Sequence, residues 1–310
     1  PIGVAPNFVA ALKLAETVAS TDSTVLLSGA SGTGKEVVAR YIHELSERTE
    51  GPFLSINCGA LPEGLLESEL FGHVKGSFTG AVKDKDGLLV AAAGGTFLLD
   101  EIGETSPATQ VKLLRALQER EVIPVGATKP VPVHARIIAA TNRDLEEGIK
   151  RGDFRSDLYY RLNVIQLRLP QLRERKEDIP LLARYFLDSR AESDGADQSM
   201  DISDAAMDAL VEYGWPGNVR ELENALERAA VVATGSSVTR DSLPERVREA
   251  PPTRLAAEPI ADNPTMEVIE RAYILWVLQA EGGNKSRAAE VLGIDPSTLY
   301  RKLNRYGIAE

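Results

Sequence analysis

Residues 24–45 read TVLLSGASGTGKEVVARYIHEL, which is a short apolar run, a glycine-rich loop and an amphipathic helical pattern. This order of strand, loop and helix is the context of a Walker A phosphate-binding loop. Glycines let backbone N–H groups close around phosphate oxygens, and the N-terminus of the following helix favours negative charge. The alternative is a glycine-rich turn that only precedes a helix. We predict that a nucleotide is bound by Gly29, Ala30, Ser31, Gly32, Thr33, Gly34, Lys35 and Glu36.

The segment GGTFLLDE at 94–101 places two acids at the end of a buried strand. Buried acids are costly unless they act at the exposed end of that strand. We predict that Asp100 holds Mg²⁺ through its water shell and that Glu101 polarises the water that attacks ATP. The alternative is an acidic pair that begins a solvated helix. ATP and Mg²⁺ are the ligands that the two segments predict together.

Short apolar runs separated by helical patterns fill the first half of the chain. The runs that predict buried strands are 24–28, 52–56, 95–99 and 135–140. Continuous apolar strands between helices are typical of a parallel sheet covered on both faces, so the predicted fold class is α/β. Strand signals stop near residue 171, and four prolines interrupt residues 248–264. The predicted domains are an α/β nucleotide-binding core at 1–170, an all-helical subdomain at 171–247, a linker at 248–263 and a small all-α domain at 264–310.

Composition limits the class of protein. Hydrophobic residues make up 43% and charged residues 26% of the chain, as is typical of globular proteins. The longest weakly polar run, 87–99, is too short to cross a bilayer as a helix. Cys58 is the only cysteine, which excludes an intrachain disulfide, and the three histidines share no metal-ligand spacing. We expect a cytoplasmic protein without a membrane segment.

Five segments match a known set of motifs. They are GASGTGKE at 29–36, ELFGHVKGSFTGA at 69–81, GGTFLLDEIGE at 94–104, FRSDLYYRLNV at 154–164 and WPGNVRELEN at 215–224. Together they resemble the AAA+ activators of the sigma-54 form of bacterial RNA polymerase, the bacterial enhancer-binding proteins. The resemblance implies a helical lid after the core, a homo-oligomeric ring that is usually a hexamer, and ATP sites between subunits. It also makes Glu36 the normal residue after the loop lysine.

The resemblance assigns further nucleotide-sensing roles by position. Asn57 is similar to the switch asparagine that senses nucleotide state through Glu101, and its alternative role is to cap a turn. Thr141 and Asn142 resemble the sensor I position, where a polar side chain contacts the γ-phosphate or its water. Arg220 resembles the sensor II arginine, which links the lid to the nucleotide, and Asn218 is a candidate N-cap for its helix.

Arg155 and Arg161 resemble the arginine fingers that enter a neighbouring subunit's site. A guanidinium suits developing phosphoryl charge because it is planar, always ionised and able to donate two parallel hydrogen bonds. Without the resemblance, both arginines would be expected in surface ion pairs, which is the commoner role of an exposed arginine.

The loop Gly76, Ser77, Phe78, Thr79, Gly80 and Ala81 has two glycines that flank an aromatic and a hydroxyl residue. This pattern predicts a mobile loop that presents a contact tip, because an exposed phenylalanine is unfavourable unless it meets a partner. In the resembled family the loop, usually GAFTGA, grips sigma-54 during ATP turnover. Ser77 replaces the usual alanine. The alternative is a β-turn with its phenylalanine in the core. A second loop is expected between Gln118 and Val133.

The C-terminal end is the expected DNA contact. The chain has a net charge of −11, yet residues 264–310 carry six basic and six acidic residues. Two short helical patterns around Gly293 fit a helix-turn-helix, and they resemble the Fis-type module. Asp295-Pro296 differs from the Asn-Arg of Fis, so base specificity is not transferred; the alternative is an oligomerisation hairpin. The candidate DNA-contacting residues are Lys285, Ser297, Thr298, Tyr300, Arg301, Lys302 and Arg305.

These features together predict an ATP-driven transcription activator that binds DNA upstream of promoters and remodels the sigma-54 polymerase closed complex. One rival is a passive regulator in which ATP only stabilises an oligomer, and the intact loop at 76–81 and both acids argue against it. The other rival is a general remodelling ATPase without a promoter role, against which the helix-turn-helix argues.

Overall fold

The computed structural model describes residues 1–194, 199–233, 235–249, 266–280 and 284–305. The chain folds as two compact units, residues 1–250 and residues 251–310. Most of the linker predicted at 248–263 lies outside the described residues, as do Gly282 and Gly283. The boundary expected between core and helical subdomain at residue 170 stays a prediction. We call residues 171–247 the lid.

Helices and strands alternate through most of the first unit. Within the described residues the α-helices are α1 (Pro6–Ala19), α2 (Lys35–Glu44), α3 (Glu63–Phe71), α4 (Leu88–Ala91), α5 (Pro107–Gln118), α6 (Leu145–Arg151), α7 (Ser156–Leu162), α8 (Ile179–Asp194), α9 (Asp204–Glu212), α10 (Asn218–Val232), α11 (Glu245–Arg248), α12 (Met266–Ala280), α13 (Lys285–Leu292) and α14 (Pro296–Arg305). The strands are β1 (Val25–Ser28), β2 (Phe53–Asn57), β3 (Gly72–His73), β4 (Lys85–Asp86), β5 (Thr96–Asp100), β6 (Glu121–Val122), β7 (Val131–Pro132), β8 (Arg136–Thr141), β9 (Ile165–Arg168), β10 (Asp201–Ile202) and β11 (Ser237–Val238).

Five parallel strands form the central sheet in the order β2-β5-β8-β1-β9. The four predicted strands are all present, each within one residue of its predicted bounds. The α/β fold class is thereby confirmed. Because all five strands run the same way, their carboxyl ends meet at one edge, which is where ligands bind in open α/β sheets.

Two apolar layers cover the sheet, since successive strand residues face opposite sides. Leu26 of β1 and Leu99 of β5 belong to the layer that contains residues of α3, α5 and α7. Leu27 and Leu98 belong to the layer that contains residues of α1 and α2. All four leucines are almost completely buried, and each contributes about 1.5–3 kcal/mol of transfer free energy. The strands that carry the loops at this edge are thereby packed on both faces.

Helices α8 to α11 form the lid around their own apolar cluster. Trp215 is 1% exposed, and its indole N–H donates to the carbonyl of Leu210 at 2.7 Å. The lid is helical as expected, apart from the parallel pair of β10 and β11. Two strands of two residues each are too short for an alternating pattern, so the sequence does not reveal them.

The second unit contains α12, α13 and α14 around a small apolar cluster. Asn284 caps α13, because its side-chain oxygen accepts the N–H of Arg287 at 3.1 Å. Gly293 ends α13 with a φ of 67°, a left-handed conformation that favours glycine. The predicted turn between two short helices is therefore present. In the part of the chain that the structure covers, we find no helix with the length and apolarity to cross a bilayer.

Candidate functional site

The phosphate loop joins the end of β1 to the start of α2. Gly34 precedes α2 with a φ of 100°, and Gly32 has a φ of 76°, conformations that residues with a side chain rarely adopt. The Lys35 ammonium donates to the carbonyls of Gly29 at 2.8 Å and Ala30 at 3.0 Å. Burial lowers the pKa of Lys35, while the carboxylates of Asp100 and Glu101 oppose that shift. An incoming anion would therefore stabilise the charged amine.

A cavity of about 200 Å³ brings the predicted phosphate-binding residues together. Its walls come from the phosphate loop, α2, the ends of β2 and β5, and the lid. The predicted residues that line it are Ser31, Gly32, Gly34, Lys35, Glu36, Asn57, Asp100, Glu101 and Arg220. Thr141 and Asn142 line a second cavity of about 480 Å³ with Gly29 and Ala30. The structure therefore joins most of the predicted site and puts the sensor I pair in a different cavity.

The acidic pair lies at the carboxyl end of β5. The Glu101 N–H donates to Asp100 Oδ1 at 3.0 Å. Glu101 has φ 53° and ψ 45°, a left-handed conformation that is costly for a non-glycine residue and is found mainly at functional sites. Burial raises the pKa of Asp100, and the Glu101 N–H and Lys35 oppose the shift. The backbone is thus strained at the residue predicted to polarise water.

Asn57 lies beside the acidic pair, because β2 pairs with β5 so that Asn57 stands opposite Asp100. Its side-chain oxygen accepts the N–H of Gly59 at 2.8 Å, which is the turn-capping contact that was its alternative role. A Cβ on Gly59 would lie 2.9 Å from Glu101 Oε2, so the turn approaches the Glu101 carboxylate closely. Asn57 can therefore act on Glu101 through this turn.

The carboxylates fit Mg²⁺ only together with a nucleotide. Among the residues that the structure describes, no group of three or more His, Cys, Asp or Glu side chains is placed to hold a metal ion. Mg²⁺ is commonly held by one or two carboxylates and by substrate phosphates. Asp100, which lines the phosphate cavity, supplies one such carboxylate.

The lid is hydrogen-bonded to three consecutive carbonyls of the phosphate loop. Asn218 Nδ2 donates to Ser31 O at 2.9 Å, the Val219 N–H donates to Gly32 O at 2.9 Å, and Arg175 Nη2 donates to Thr33 O at 2.9 Å. The predicted N-cap role of Asn218 is wrong. Gly217 occupies the N-cap, while Asn218 has a φ of 54° and its Oδ1 accepts the Leu172 N–H at 2.9 Å.

We call the hydrogen bonds from Asn218, Val219 and Arg175 to the phosphate loop the clamp. Arg220 follows Val219 in the chain. Its guanidinium is 3.5 Å from Ser31 Oγ and lines the phosphate cavity. The sequence did not identify Arg175, because its carbonyl partner is 142 residues away in the chain and no local pattern marks it.

An apolar cavity of about 360 Å³ lies beside the phosphate loop and was not predicted. Thr33 and Gly34 form one wall. The apolar residues around it come from the N-terminal segment, α1, α2 and the lid, and include Ile2, Phe8, Val37, Leu182 and Phe186. No local motif in the sequence marks this cavity, because its walls come from four separate segments.

The loop at 76–81 connects β3 to β4, which pair antiparallel. The Gly76 N–H donates to Ala81 O at 2.9 Å and closes the loop. Phe78 is 40% exposed, and its ring is 5.0 Å from that of His73 in a T-shaped contact. The alternative of a phenylalanine in the core is therefore wrong. Thr79 is exposed as well.

A second loop, residues 123–130, connects β6 and β7 in the predicted region. The two loops are joined at their bases: the Val74 N–H donates to Val125 O at 3.1 Å, and the Val125 N–H donates to Gly72 O at 2.8 Å. Ser77 Oγ is buried without a hydrogen-bond partner. A Cβ on Gly126 would lie 2.6 Å from Ser77 Cβ, so the loops are packed closely there.

The two predicted finger arginines lie at either end of α7, and both are exposed. Arg155 donates to both carboxylate oxygens of Asp157, at 3.0 and 2.7 Å. Arg161 is 3.4 Å from the carbonyl of Leu117. Neither lines the phosphate cavity of its own chain.

The predicted DNA-contacting residues lie on α13 and α14, and they differ in exposure. Ser297, Tyr300 and Arg301 are exposed, and Thr298 is partly buried. The Lys285 ammonium is 5.1 Å from the centre of the Tyr300 ring. Lys302 is partly buried and binds Glu270 at 2.8 Å, which leaves it less available to DNA. Arg305 ends α14, and its side chain lies outside what the structure describes.

Three family profiles match successive parts of the chain. The sigma-54 interaction domain matches residues 2–168, the AAA+ ATPase lid domain matches residues 173–259, and the bacterial regulatory proteins of the Fis family match residues 265–306. The first of these covers more than half of the chain.

Similar proteins match along nearly the whole chain. The transcriptional regulatory protein ZraR of Klebsiella oxytoca is 51% identical over 307 residues, which are 98% of this chain and 68% of that protein. The crystal structure of NtrX from Brucella abortus in complex with ADP has a TM-score of 0.76 and is 36% identical, covering 99% of this chain and 70% of that chain. The structure of NtrX in complex with ATP has a TM-score of 0.72 and is also 36% identical, with coverages of 99% and 69%.

Proposed function

The chain belongs to the family of sigma-54-dependent transcriptional regulators, with an AAA+ P-loop ATPase and a Fis-type helix-turn-helix, and from this premise we propose that it couples ATP hydrolysis between subunits to remodelling of the sigma-54 polymerase closed complex. The observation that carries the proposal is the exposed Phe78 on a closed loop within the unit that also contains the phosphate cavity. A phenylalanine on a surface loop gains free energy when it is buried against a partner, which supports a contact role for this loop.

The phosphate cavity performs the ATP chemistry in this proposal. Lys35 binds the outer phosphates, and Glu101 accepts a proton from the attacking water while its strained backbone holds the carboxylate toward the cavity. Asp100 would hold Mg²⁺ through its water shell, and the bound ion would supply charge neutralisation at the transferred phosphoryl group. Asn57 orients Glu101 through the turn at Gly59.

Recognition of the rest of the nucleotide involves two further parts of the site. The apolar cavity beside Thr33 and Gly34 takes the base, since a purine gains free energy by leaving water for an apolar wall. Arg220, a lid residue that lines the phosphate cavity, contacts the nucleotide and so links the position of the lid to nucleotide binding. Thr141 and Asn142 act at the γ-phosphate in the sensor I role.

Arg155 and Arg161 act on the nucleotide of a neighbouring subunit. Both are exposed, and neither lines the phosphate cavity of its own chain. To enter a neighbouring site, Arg155 exchanges its ion pair with Asp157 for the phosphate, and Arg161 leaves the carbonyl of Leu117. We therefore propose a homo-oligomeric ring, a hexamer, in which each ATP site is completed by the next subunit.

Phe78 and Thr79 grip sigma-54, and α13 and α14 hold the ring to double-stranded DNA upstream of the promoter. We assign these functions to the predicted domains, which are an ATPase core at 1–170, the lid at 171–247, a linker at 248–263 and a DNA-binding domain at 264–310. The protein acts in the cytoplasm, where its polymerase is.

The proposal is tested by Thr79→Ala, with ATP turnover and sigma-54-dependent open-complex formation measured on one preparation. Thr79 is exposed and does not line the phosphate cavity, so turnover should stay within about twofold of wild type while open-complex formation falls by about two- to tenfold or more. One neutral hydrogen bond contributes about 0.5–1.5 kcal/mol, which is small for folding but large for a transient contact.

Thr17→Ala is the matched control, because it removes an exposed hydroxyl from α1. It should leave both activities unchanged. If Thr79→Ala lowers both activities together, or leaves both intact, the loop is not a separate coupling element and the proposal fails.

A further inference from the structure

The N-terminal segment, residues 2–5, is tied to a buried aspartate of the lid. The N–H groups of Val4 and Ala5 donate to Asp178 Oδ1 at 2.6 and 2.9 Å. Asp178 is completely buried. Ile2 packs against the apolar cluster of the lid, whereas Ala5 belongs to a cluster of the α/β core. The segment therefore bridges the two parts of the nucleotide-binding unit.

Arg175 continues this chain of contacts to the phosphate loop. Its side chain is 2% exposed, and its Cζ lies 4.2 Å from the centre of the Phe8 ring. Nη1 is 3.7 Å from Asp178 Oδ2, and Nη2 donates to Thr33 O at 2.9 Å. The order of contacts is thus the N-terminal segment, Asp178, Arg175 and the phosphate loop.

The Arg175–Asp178 pair is incompletely bonded. Arg175 Nε and Asp178 Oδ2 are both buried without a hydrogen-bond partner. An arginine that served only to neutralise Asp178 would place two parallel N–H groups on the carboxylate, which is the strongest geometry for such a pair. Arg175 instead gives one of its donors to Thr33, although buried unpaired atoms cost free energy. The hydrogen bonding of Arg175 therefore serves the phosphate loop at the expense of the ion pair with Asp178.

We propose that Arg175 is a positioning residue for the phosphate loop, and that the N-terminal segment sets nucleotide affinity through Asp178 and Arg175. With the segment docked, two backbone N–H groups satisfy Asp178 Oδ1 and leave Arg175 able to hold Thr33. When the segment leaves, the carboxylate loses both donors and draws the guanidinium to itself, and the Thr33 carbonyl loses its partner. This inference rests on the nucleotide site proposed above and assigns a regulatory input to it.

Gly3→Ala tests the proposal at a residue that lines neither cavity, and the cycle below separates its effect from any movement of Phe8 in the apolar cavity. A Cβ on Gly3 would lie 2.4 Å from Phe8 Cδ1 and 2.6 Å from Asp178 Oδ2, so the segment must move. We expect the Kd for ADP, measured by calorimetry on the full chain, to rise about tenfold, with kcat at saturating ATP within about twofold of wild type. Gly64→Ala is the matched control, because a Cβ there meets no atom within 4 Å. It should bind ADP as the wild type does.

A double-mutant cycle separates positioning from general destabilisation. Arg175→Lys keeps a positive charge near Asp178, but one ammonium cannot reach both partners as the guanidinium does. Gly3→Ala should therefore add little to Arg175→Lys. Val37→Ala alters the wall of the apolar cavity from α2, outside the N-terminal segment and the hydrogen-bonded chain, so its effect should add in full. If Arg175→Lys does not fold, Asp178→Asn replaces it, because it keeps an acceptor oxygen and removes the charge.

Two results would overturn the proposal: wild-type ADP affinity in Gly3→Ala, or full additivity of Gly3→Ala with Arg175→Lys. A wild-type protein that binds no ADP would instead overturn the nucleotide site itself. The two failures are therefore distinguishable.

Discussion

Ser77→Ala should stabilise the docked form of the loop at 76–81. Ser77 Oγ is buried without a hydrogen-bond partner, and its Cβ packs against Gly126 of the second loop. When the loop lifts away from the second loop, water can reach the hydroxyl. The desolvation cost is therefore present only in the docked form, and alanine removes it without removing the Cβ that makes the contact.

The size of the effect follows from the buried hydroxyl. An unpaired buried donor or acceptor costs about 1–3 kcal/mol, and the partial exposure of the Ser77 residue places this site at the lower end. If the docked form becomes more stable by about 1 kcal/mol, the open form is about fivefold less populated, and amide exchange that requires the open form slows by the same factor. The reporters are the N–H groups of Gly76 and Ala81, which donate within the loop at 2.9 and 3.1 Å.

The assay is hydrogen exchange, followed by mass spectrometry, on peptides that cover residues 72–84 of the nucleotide-free protein. Thr79→Ala is the control, because Thr79 is exposed and its hydroxyl pays no such cost. Gly126→Ala should act in the opposite direction, since its Cβ would lie 2.6 Å from Ser77 Cβ and the residue has a φ of 81°. Exchange in Ser77→Ala that is as fast as in wild type, or faster, would refute the reasoning.

Three further outcomes are expected. Glu101→Gln should still bind ATP but hydrolyse it about a hundredfold more slowly or worse, because an amide cannot accept the proton from water; near wild-type turnover would contradict its role. Arg161→Ala should bind ADP yet lose ATPase activity, and wild-type activity per subunit should rise with concentration; a constant rate in monomeric protein would exclude a shared site. Burial raises the pKa of Cys58 to about 12, so iodoacetamide should label it at pH 8 only after unfolding; rapid labelling of the native protein would place the thiol at the surface.

Three of the four predicted strands, β1, β5 and β8, have a pattern that is set by burial on both faces. The fourth, β2, is an edge strand in which only Ile56 is buried, and its apolar composition alone predicted it. Runs such as 95–99 are apolar throughout because both faces of β5 are covered, and the structure places that strand within one residue. The fifth strand, β9, has the sequence Ile-Gln-Leu-Arg at the edge of the sheet, where alternate residues are exposed. Four alternating residues do not stand out from a loop, so β9 was not predicted.

The parts of the functional site also differ in how well the sequence predicts them. The phosphate loop and the acidic pair are local motifs, so the sequence predicts which residues they contain. Asn218 was assigned a local role because asparagine favours helix N-caps, but its left-handed backbone directs the side chain across to Ser31. Arg175 contacts Asp178 three residues along the chain, but no local pattern marks its hydrogen bond to Thr33. Contacts between distant segments depend on how the lid packs, and the sequence pattern carries no information on that packing.

The clamp between the lid and the phosphate loop has a consequence for the peptide planes of the loop. In a trans peptide, the C=O of one residue and the N–H of the next lie in one plane and point in opposite directions. Because lid donors fix the carbonyls of Ser31, Gly32 and Thr33, the next three N–H dipoles are fixed as well, facing away from those donors. The lid thus orients the phosphate-binding N–H groups of the loop through hydrogen bonds on the opposite side of the peptide planes. A tilt of the lid would therefore turn three N–H dipoles together.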